Sequence, residues 1–189
     1  MNRKLLAIAP LLVFAFVCVF LYQGLFANPR EIQTGRLGQD MPAFNLPDLM
    51  QDDKRWTNES LKGEVYLLNV WGTWCPTCLV ELGYLTKLRE QGVKIIGLYY
   101  VQGYDADFDG PFDMQALRTD VTDMLGRAGD PYQFNILDLH RTLSLDLGVS
   151  GAPETFLVDK NGKILLHHTG DINPRVWRAK FAPVMQELN

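Results

Sequence analysis

Two cysteines separated by two residues form the clearest chemical feature of this sequence. Cys75 and Cys78 follow an apolar run of strand length, Val65 to Val70, and a helical pattern begins near Pro76. Unpaired N–H groups and partial positive charge at a helix N-terminus favour a thiolate over a thiol. Thiolates exchange with disulfides through mixed disulfides. The pattern therefore predicts thiol–disulfide exchange, with Cys75 as the exposed attacking sulfur and Cys78 as the buried resolving one.

The same pair could instead be a structural crosslink or half of a metal site. A crosslink between residues this close closes a very small loop and gains little from loop entropy. A zinc site needs four ligands, but there is no second Cys-x-x-Cys, and Cys18 lies in an apolar N-terminal stretch. His167 and His168 are adjacent on a predicted strand, so their side chains point to opposite faces. We therefore predict no metal.

The elements around the cysteines predict an α/β fold. A helix from about Pro76 to Gln91 leads to a strand at Val93–Val101, so residues 65–101 form a β-α-β unit with parallel strands. The later predicted elements are helices at Asp113–Arg127, Arg141–Leu147 and Asn173 to about Leu188, and strands at Gln133–Asp138, Thr155–Asp159 and Lys163–His168. This order predicts an α/β sandwich around a central sheet.

An apolar stretch precedes this domain. Leu5 to Ala27 contains no charged residue, and as a helix it would span roughly 34 Å, enough for a bilayer core of ~30 Å. Arg3 and Lys4 precede it, so the positive-inside rule exports the rest of the chain. A cleaved signal peptide is the alternative, but its apolar region is usually ~7–15 residues long. The predicted organisation is a membrane anchor at residues 1–27, a tether at 28–37 and a folded domain at 38–189.

Charge and cysteine content limit which kinds of protein the exported part can be. All 22 acidic residues but only part of the 18 basic residues follow the apolar stretch, and no basic run is present. Nucleic-acid binding needs clusters of Lys and Arg, so we predict no nucleic-acid partner. A small secreted scaffold stapled by disulfides would carry four or more cysteines, and the exported part has two. A reactive pair in one ordinary globular domain fits this count better.

Three separated motifs resemble one family. The run Leu67 to Cys78 resembles thioredoxin-like proteins, and Gly148 to Asp159 resembles the cis-proline loop and following strand of that fold. The Ala-Pro-Glu-Thr form of that loop, the Trp-Cys-Pro-Thr-Cys site and the later run Gly170 to Trp177 look like the cytochrome c maturation thiol reductases, the CcmG/DsbE family. The resemblance covers roughly residues 38–189. It implies a thioredoxin-like three-layer sandwich with a mixed central sheet, preceded by a single transmembrane helix.

The resemblance also implies roles for residues around the cysteines. Pro153 would be the cis-proline that faces the cysteines, and the backbone of Ala152 would pair with a substrate strand beside Cys75. From the residues alone, Pro153 could also be a simple turn proline before a strand. Trp74 is expected to shield the cysteine pair. The predicted substrate-binding residues are Trp74, Pro76, Thr77, Ala152, Pro153 and Glu154.

Exchange also needs a proton acceptor near Cys78. Similar thioredoxins carry a buried Asp six residues before the first cysteine, but here that position is Asn69, which cannot titrate. Glu81 follows Cys78 by three residues on the same helical face, and in the resembling family an acidic residue there is held to serve instead. We hypothesise that Glu81, partly desolvated with a raised pKa, takes the Cys78 proton; a solvated glutamate is the alternative. Glu154 is a second candidate base, with partner contact as its alternative role.

The function implied by the resemblance is that of a periplasmic disulfide reductant in cytochrome c biogenesis. It would keep the cysteines of apocytochrome c, or of a maturation thiol protein, reduced for haem attachment. Electrons would come from a membrane donor of the DsbD/CcdA type, because exported compartments are oxidising. The expected location is the bacterial inner membrane with the domain in the periplasm, and no bound cofactor is expected besides the Cys75–Cys78 disulfide. The alternatives are a general extracytoplasmic thiol–disulfide oxidoreductase, a peroxidase, and a redox-inert binding module or copper carrier.

One loop departs from the family pattern. The segment Asp105 to Gly110 matches the first half of an EF-hand calcium loop, but Ala116 stands where the loop needs its bidentate acid. We predict that residues 101–113 form a solvated acidic loop that influences the choice of partner rather than a calcium site.

Overall fold

The N-terminal helix α1 (Arg3–Phe26) belongs to the first of two units into which the chain divides, Met1–Ile32 and Gln33–Asn189. The computed structural model describes residues 3–26, 36–104 and 107–188. None of the helices formed by these residues combines the length and the hydropathy that crossing a bilayer requires. The predicted tether lies almost entirely outside the described residues, as do Asp105 and Ala106 of the acidic loop.

A mixed five-stranded sheet forms the centre of the second unit. Its strands are β3 (Tyr66–Trp71), β4 (Ile95–Tyr100), β5 (Asn135–Asp138), β6 (Glu154–Val158) and β7 (Ile164–Thr169). They lie in the order β5-β4-β3-β6-β7; β3, β4 and β5 are parallel, and β6 and β7 are antiparallel to their neighbours. Every residue of the central strand β3 is buried, as its continuous apolar run predicts for a strand covered on both faces.

Helices cover both faces of this sheet and make it the middle of three layers. The helices are α2 (Pro76–Glu90), α3 (Met114–Ala128), α4 (Thr142–Asp146), α5 (Pro174–Val176) and α6 (Ala182–Leu188), with a π-helical turn at Trp177–Phe181 between the last two. One apolar cluster joins the sheet to α2, α3 and the C-terminal turn, and a second joins its other face to α4 and the segment before β3. Alternate residues of each strand supply the two clusters, as the strand period of two requires.

The helix that carries the cysteines begins and ends at its sequence signals. Cys75 is the N-cap of α2 with extended backbone angles, and Pro76 occupies the first turn, where its missing N–H breaks no helical bond. The helix stops at Gln91, followed by Gly92 at φ +92°, a conformation that side chains with a Cβ rarely adopt. These bounds confirm the predicted helix to within one residue.

Two short strands before β3 escape the sequence prediction. β1 (Asn45–Pro47) and β2 (Arg55–Thr57) pair antiparallel, and neither segment is among the predicted strands. Trp56 stacks on Phe134 at 3.5 Å between ring centroids, which attaches the pair to the segment entering β5. Tertiary packing therefore supplies the stability that three-residue strands lack by themselves.

Candidate active site

The two cysteines form a disulfide at the N-terminus of α2. Their Cα atoms are 5.3 Å apart, and the Cys75 Sγ atom accepts a hydrogen bond from the Cys78 backbone N–H at 3.1 Å. An N–H donor aimed at this sulfur, together with the helix dipole, stabilises the Cys75 thiolate once the disulfide is reduced. The role of Cys75 as the attacking sulfur stays a prediction.

The predicted exposure of Cys75 is wrong for this oxidised form. Cys75 is 3% exposed and Cys78 is fully buried, so Cys75 is the more accessible of the two by a small margin only. The reason is local packing: Trp74 and Ala152 lie against the apolar cluster that contains both cysteines.

Two contacts with Tyr100 hold Trp74 beside the disulfide. Its indole Nε1 donates to the Tyr100 carbonyl oxygen at 2.9 Å, and the two aromatic groups lie 4.8 Å apart. Gly72 makes this position available, because a Cβ there would approach the indole nitrogen to 2.3 Å. Trp74 is half-buried, whereas Pro76 and Thr77 are exposed at the start of α2. These three side chains form the rim of the disulfide.

The loop before β6 contains a cis peptide bond between Ala152 and Pro153. β6 pairs antiparallel with β3 and places Glu154 opposite Val70, so the loop lies at the end of the sheet where β3 leads into the cysteines. Ala152 remains partly exposed and Pro153 is buried. The cis bond predicted for Pro153 is confirmed, whereas the pairing of the Ala152 backbone with a substrate strand stays a prediction.

Glu81 is buried on α2, one turn after Cys78. The two oxygen atoms of its carboxyl group accept hydrogen bonds from Asn69 Nδ2 at 2.9 Å and from the Ile172 backbone N–H at 2.7 Å. Burial raises the pKa of Glu81 to about 7, and these two neutral donors offset only part of that rise. Asn69 is held in turn by Tyr132, whose hydroxyl donates to Asn69 Oδ1 at 2.7 Å. The group thus exchanges protons near neutral pH, as the hypothesis for Glu81 requires, although its role stays a prediction.

Glu154 is also buried, but its carboxylate is surrounded by more donors. It accepts hydrogen bonds from the backbone N–H and hydroxyl of Ser150, the Gly151 N–H and His167 Nε2, at 2.6–3.0 Å. Burial raises the pKa of Glu154, but the hydrogen bonds from His167 and Ser150 outweigh it and hold the pKa below its usual value. The side chain is 0% exposed, so in this structure it makes no surface for a partner. Its contacts instead tie the loop before Ala152 to the sheet.

His167 is a neighbour of Glu154 that sequence reasoning missed. Its ring stacks on Phe156 with 4.3 Å between the centroids, and its Nε2 atom meets Glu154 on the adjacent strand. The contact is a diagonal one, since β6 and β7 pair Phe156 with His167 and Glu154 with Thr169. Finding it requires the register of β7, which the sequence pattern leaves open. His168 points to the opposite face towards Phe181, as the strand alternation predicts.

Comparison with solved structures assigns the fold to the thioredoxin-like class. A thioredoxin domain of a thiol–disulfide oxidoreductase from Bacteroides vulgatus superposes with a TM-score of 0.57 and 20% identity over 82% of this chain and all of that one. A thio-disulfide isomerase from Thermus thermophilus matches with a TM-score of 0.59 and 20% identity over 81% of this chain and 98% of that one. The predicted mixed-sheet sandwich is confirmed.

Sequence comparison is more specific. The redoxin family model matches residues 36–182. The thiol:disulfide interchange protein DsbE of Pseudomonas aeruginosa is 42% identical over all of this chain and 96% of its own, and that of Escherichia coli K12 is 36% identical over all of this chain and 97% of its own. The chain therefore belongs to the redoxin family and, within it, to the DsbE thiol–disulfide oxidoreductases. Its redox centre is the Cys75–Cys78 disulfide.

Proposed function

We propose that this protein is a periplasmic disulfide reductant of cytochrome c biogenesis. It keeps the cysteines of apocytochrome c, or of a maturation thiol protein, reduced for haem attachment. The observation that carries the proposal is the similarity to DsbE proteins over the whole length of the chain. The three motifs around Cys75, Pro153 and Asn173 favour the same family.

The reaction begins on the reduced protein. The Cys75 thiolate attacks one sulfur of the client disulfide, and the other client sulfur leaves as a thiolate. The bond formed is a mixed disulfide between Cys75 and the client. Cys78 then attacks Cys75 Sγ, which forms the Cys75–Cys78 disulfide and releases the second client thiolate. Two electrons pass from the protein to the client, and the protein ends in the oxidised state seen in this structure.

Glu81 supplies the proton acceptor for the second step. Cys78 is fully buried, so ionising its thiol without a nearby base is costly. Glu81 is the buried acid one turn further along α2, and its pKa of about 7 matches that of a base working near neutral pH. Protonated Glu81 is neutral, so accepting the proton also removes a buried charge. The proton returns to solvent before the next cycle.

The client peptide lies along the cis-proline loop. Ala152 offers free backbone groups next to the disulfide, and an extended peptide paired there brings its own sulfur to Cys75. Trp74, Pro76 and Thr77 form the opposite side of the contact because they surround the N-terminus of α2. Glu154 holds this loop in shape because it accepts hydrogen bonds from the backbone N–H groups of Ser150 and Gly151.

The location and electron supply are part of the same proposal. Residues 1–27 anchor the protein in the bacterial inner membrane, residues 28–37 form a tether, and residues 38–189 form the periplasmic domain. The charge-free stretch from Leu5 to Ala27 and the two basic residues before it support this arrangement. A membrane reductase of the DsbD/CcdA type regenerates the dithiol, because an oxidising compartment offers no other reductant.

A resolving-cysteine variant tests the proposal directly. Cys78→Ser cannot complete the second step, so it accumulates clients as mixed disulfides on Cys75. Expressed in a bacterium that lacks its own DsbE, this variant should trap apocytochrome c or a cytochrome maturation thiol protein, identified by mass spectrometry after non-reducing electrophoresis. The double variant Cys75→Ser/Cys78→Ser is the matched control and should trap nothing. Trapping of unrelated exported proteins in place of cytochrome c components would contradict the assigned client.

A further inference from the structure

Arg141 adopts a backbone conformation that is rare for its residue type. It lies three residues after the end of β5, is the N-cap of α4, and has φ +58° and ψ +21° in the left-handed region. It is the one residue other than glycine with positive φ among those that the structure describes. Such conformations cluster at functional sites, where the surrounding structure holds them in place.

The guanidinium group of Arg141 also lacks part of its hydrogen bonding. Its Nε atom is buried and has no hydrogen-bond partner within the described ranges. The group lies over the Tyr100 ring, 4.6 Å from the centroid, so one face is covered by an aromatic surface. A cation–π contact leaves the N–H donors in the plane of the guanidinium unused. The guanidinium therefore has unused donor capacity beside the Tyr100 ring.

This guanidinium is linked to the redox site through Tyr100 and Trp74. β3, β4 and β5 are parallel, so the loops that follow them meet at the edge of the sheet where β3 leads to Cys75. Trp74, the neighbour of Cys75, donates its indole N–H to the carbonyl of Tyr100, and the Tyr100 ring carries Arg141. A cavity opens at this point. Its polar lining consists of Tyr104, Asp107, His140 and Arg141.

We propose that Arg141 is a recognition residue that binds a carboxylate of the client polypeptide close to the disulfide being reduced. Guanidinium pairs with carboxylate through charge-assisted and often bidentate hydrogen bonds, and Arg141 lines a cavity from which its N–H groups can be approached. Asp107 also lines the cavity, and its charge weakens binding of a free anion. A carboxylate that belongs to a client already held at Cys75 overcomes this repulsion, because its effective concentration at the cavity is high. The proposal rests on the exchange reaction proposed above.

Peptide reduction kinetics test this assignment. The substrates are oxidised peptides with a single Cys-x-x-Cys disulfide and one Glu, scanned over the four positions before the first cysteine and the four after the second. Each is compared with the peptide that carries Gln at the same position. We expect the reduced protein to react about tenfold faster with the Glu peptide for at least one position. In Arg141→Gln that ratio should fall to about one, and Arg141→Lys should retain part of it.

Two controls separate recognition from folding. Arg127→Gln removes an exposed positive charge from α3 and should leave the Glu-to-Gln ratio unchanged. Arg141→Gly should lose the ratio without a lower Tm, because glycine adopts a φ of +58° without strain. An equal ratio in the wild type and Arg141→Gln overturns the proposal while the exchange reaction stands. Failure of the wild-type protein to reduce any peptide overturns the proposed reaction as well.

Discussion

The helix side and the loop side of the disulfide each bury one glutamate, and the two carboxyl groups behave differently. Glu81 on α2 and Glu154 at the start of β6 are 1% and 0% exposed. Burial raises the pKa of Glu81 to about 7, whereas Glu154 has a pKa below its usual value despite its burial. The two pKa values differ because the two carboxyl groups accept hydrogen bonds from different sets of donors. Glu81 accepts two hydrogen bonds from neutral amides, but Glu154 accepts from three groups of Ser150 and Gly151 and from His167.

This contrast shows that the donors around a buried acid, and not burial alone, decide what the acid can do. Few neutral donors leave Glu81 able to gain and lose a proton near neutral pH, which suits a base in a redox cycle. Many donors fix Glu154 as a carboxylate, which suits a group that holds a loop in place. Two acids whose environments displace their pKa values in opposite directions divide the chemical and structural roles between them.

Removal of Glu154 should have the largest effect on stability. Glu154→Ala leaves His167 and the donors of Ser150 and Gly151 without their acceptor, and we expect a loss of roughly 3–5 kcal/mol in the free energy of unfolding. Urea denaturation of the oxidised wild type and variant measures this loss. The lowered pKa of Glu154 means that its contribution is present at neutral pH and is lost as the pH falls through the folded-state value. The difference between wild type and variant should therefore shrink in acid. A constant difference would show that the charge of Glu154 is irrelevant.

Replacing Glu81 should abolish a pH dependence of stability. The folded pKa of about 7 exceeds the unfolded value of 4.5, so the wild type binds the proton more tightly when folded. Its free energy of unfolding should fall by roughly 3 kcal/mol as the pH rises from below 4.5 to above 7. Glu81→Gln keeps the shape but cannot titrate, so it should lose this slope and be the more stable protein at pH 8.

The same Glu81→Gln variant should be slow in exchange. Loss of a general base costs on the order of 10²-fold, and the step affected is the attack of Cys78 on the mixed disulfide. Stopped-flow measurement of client release at pH 7 separates this step from the initial attack by Cys75. If thiol pKa values and release rates match those of the wild type, Glu81 is not the base and the contrast between the two acids has no catalytic meaning.

Replacing His167, one of the donors to Glu154, should cause an intermediate loss in the free energy of unfolding. His167→Gln retains a side-chain donor but loses the imidazole that stacks on Phe156 and bonds to Glu154. We expect a loss of about 2 kcal/mol, the range for a hydrogen bond to a charged group. NMR titration of the Glu154 carboxyl should show a higher pKa in the variant. His168→Gln, one residue further on and facing the other way, is the control and should leave that pKa unchanged.

The smallest effect on stability is expected from removing the Tyr132 hydroxyl, which holds the Asn69 amide that donates to Glu81. Tyr132→Phe removes the hydroxyl that orients the Asn69 amide, at a cost of about 1 kcal/mol in the free energy of unfolding. Because Asn69 is then free to turn its donor away from Glu81, the pKa of Glu81 should rise further. Tyr84→Phe, at a half-buried position of α2, gives a matched hydroxyl deletion. An unchanged Glu81 pKa in Tyr132→Phe would mean that Thr155 alone fixes the amide.

Much of this site follows from local signals in the sequence. The cysteines, the N-terminal proline of α2 and the buried run of β3 are determined by residues within one turn or one strand of each other. The same locality makes Glu81 a good candidate, because Cys78 and Glu81 share a helical face. Pro153 is different, since its cis bond follows from family resemblance and not from spacing.

Two of the contacts that sequence reasoning missed join distant elements, and a third depends on strand register. Asn69 meets Tyr132 across 63 residues, and Ile172 donates to Glu81 across 91. His167 meets Glu154 only through the register of β6 and β7, which includes an irregularity near Val158. The exposure predicted for Cys75 was wrong for a related reason, because the packing of Ala152 against the apolar cluster that contains Cys75 depends on the fold as a whole.

The pairing of β3 with β6 has a consequence for how this scaffold diversifies. Backbone hydrogen bonds set Val70 opposite Glu154, so the spacing between the cysteines and the cis-proline loop is defined by the ladder and not by any particular side chain. Changes in the loops after β4 and β5 leave that spacing untouched. Under the proposed function, mutation in those loops can therefore alter which clients are accepted while the geometry of electron transfer is inherited unchanged.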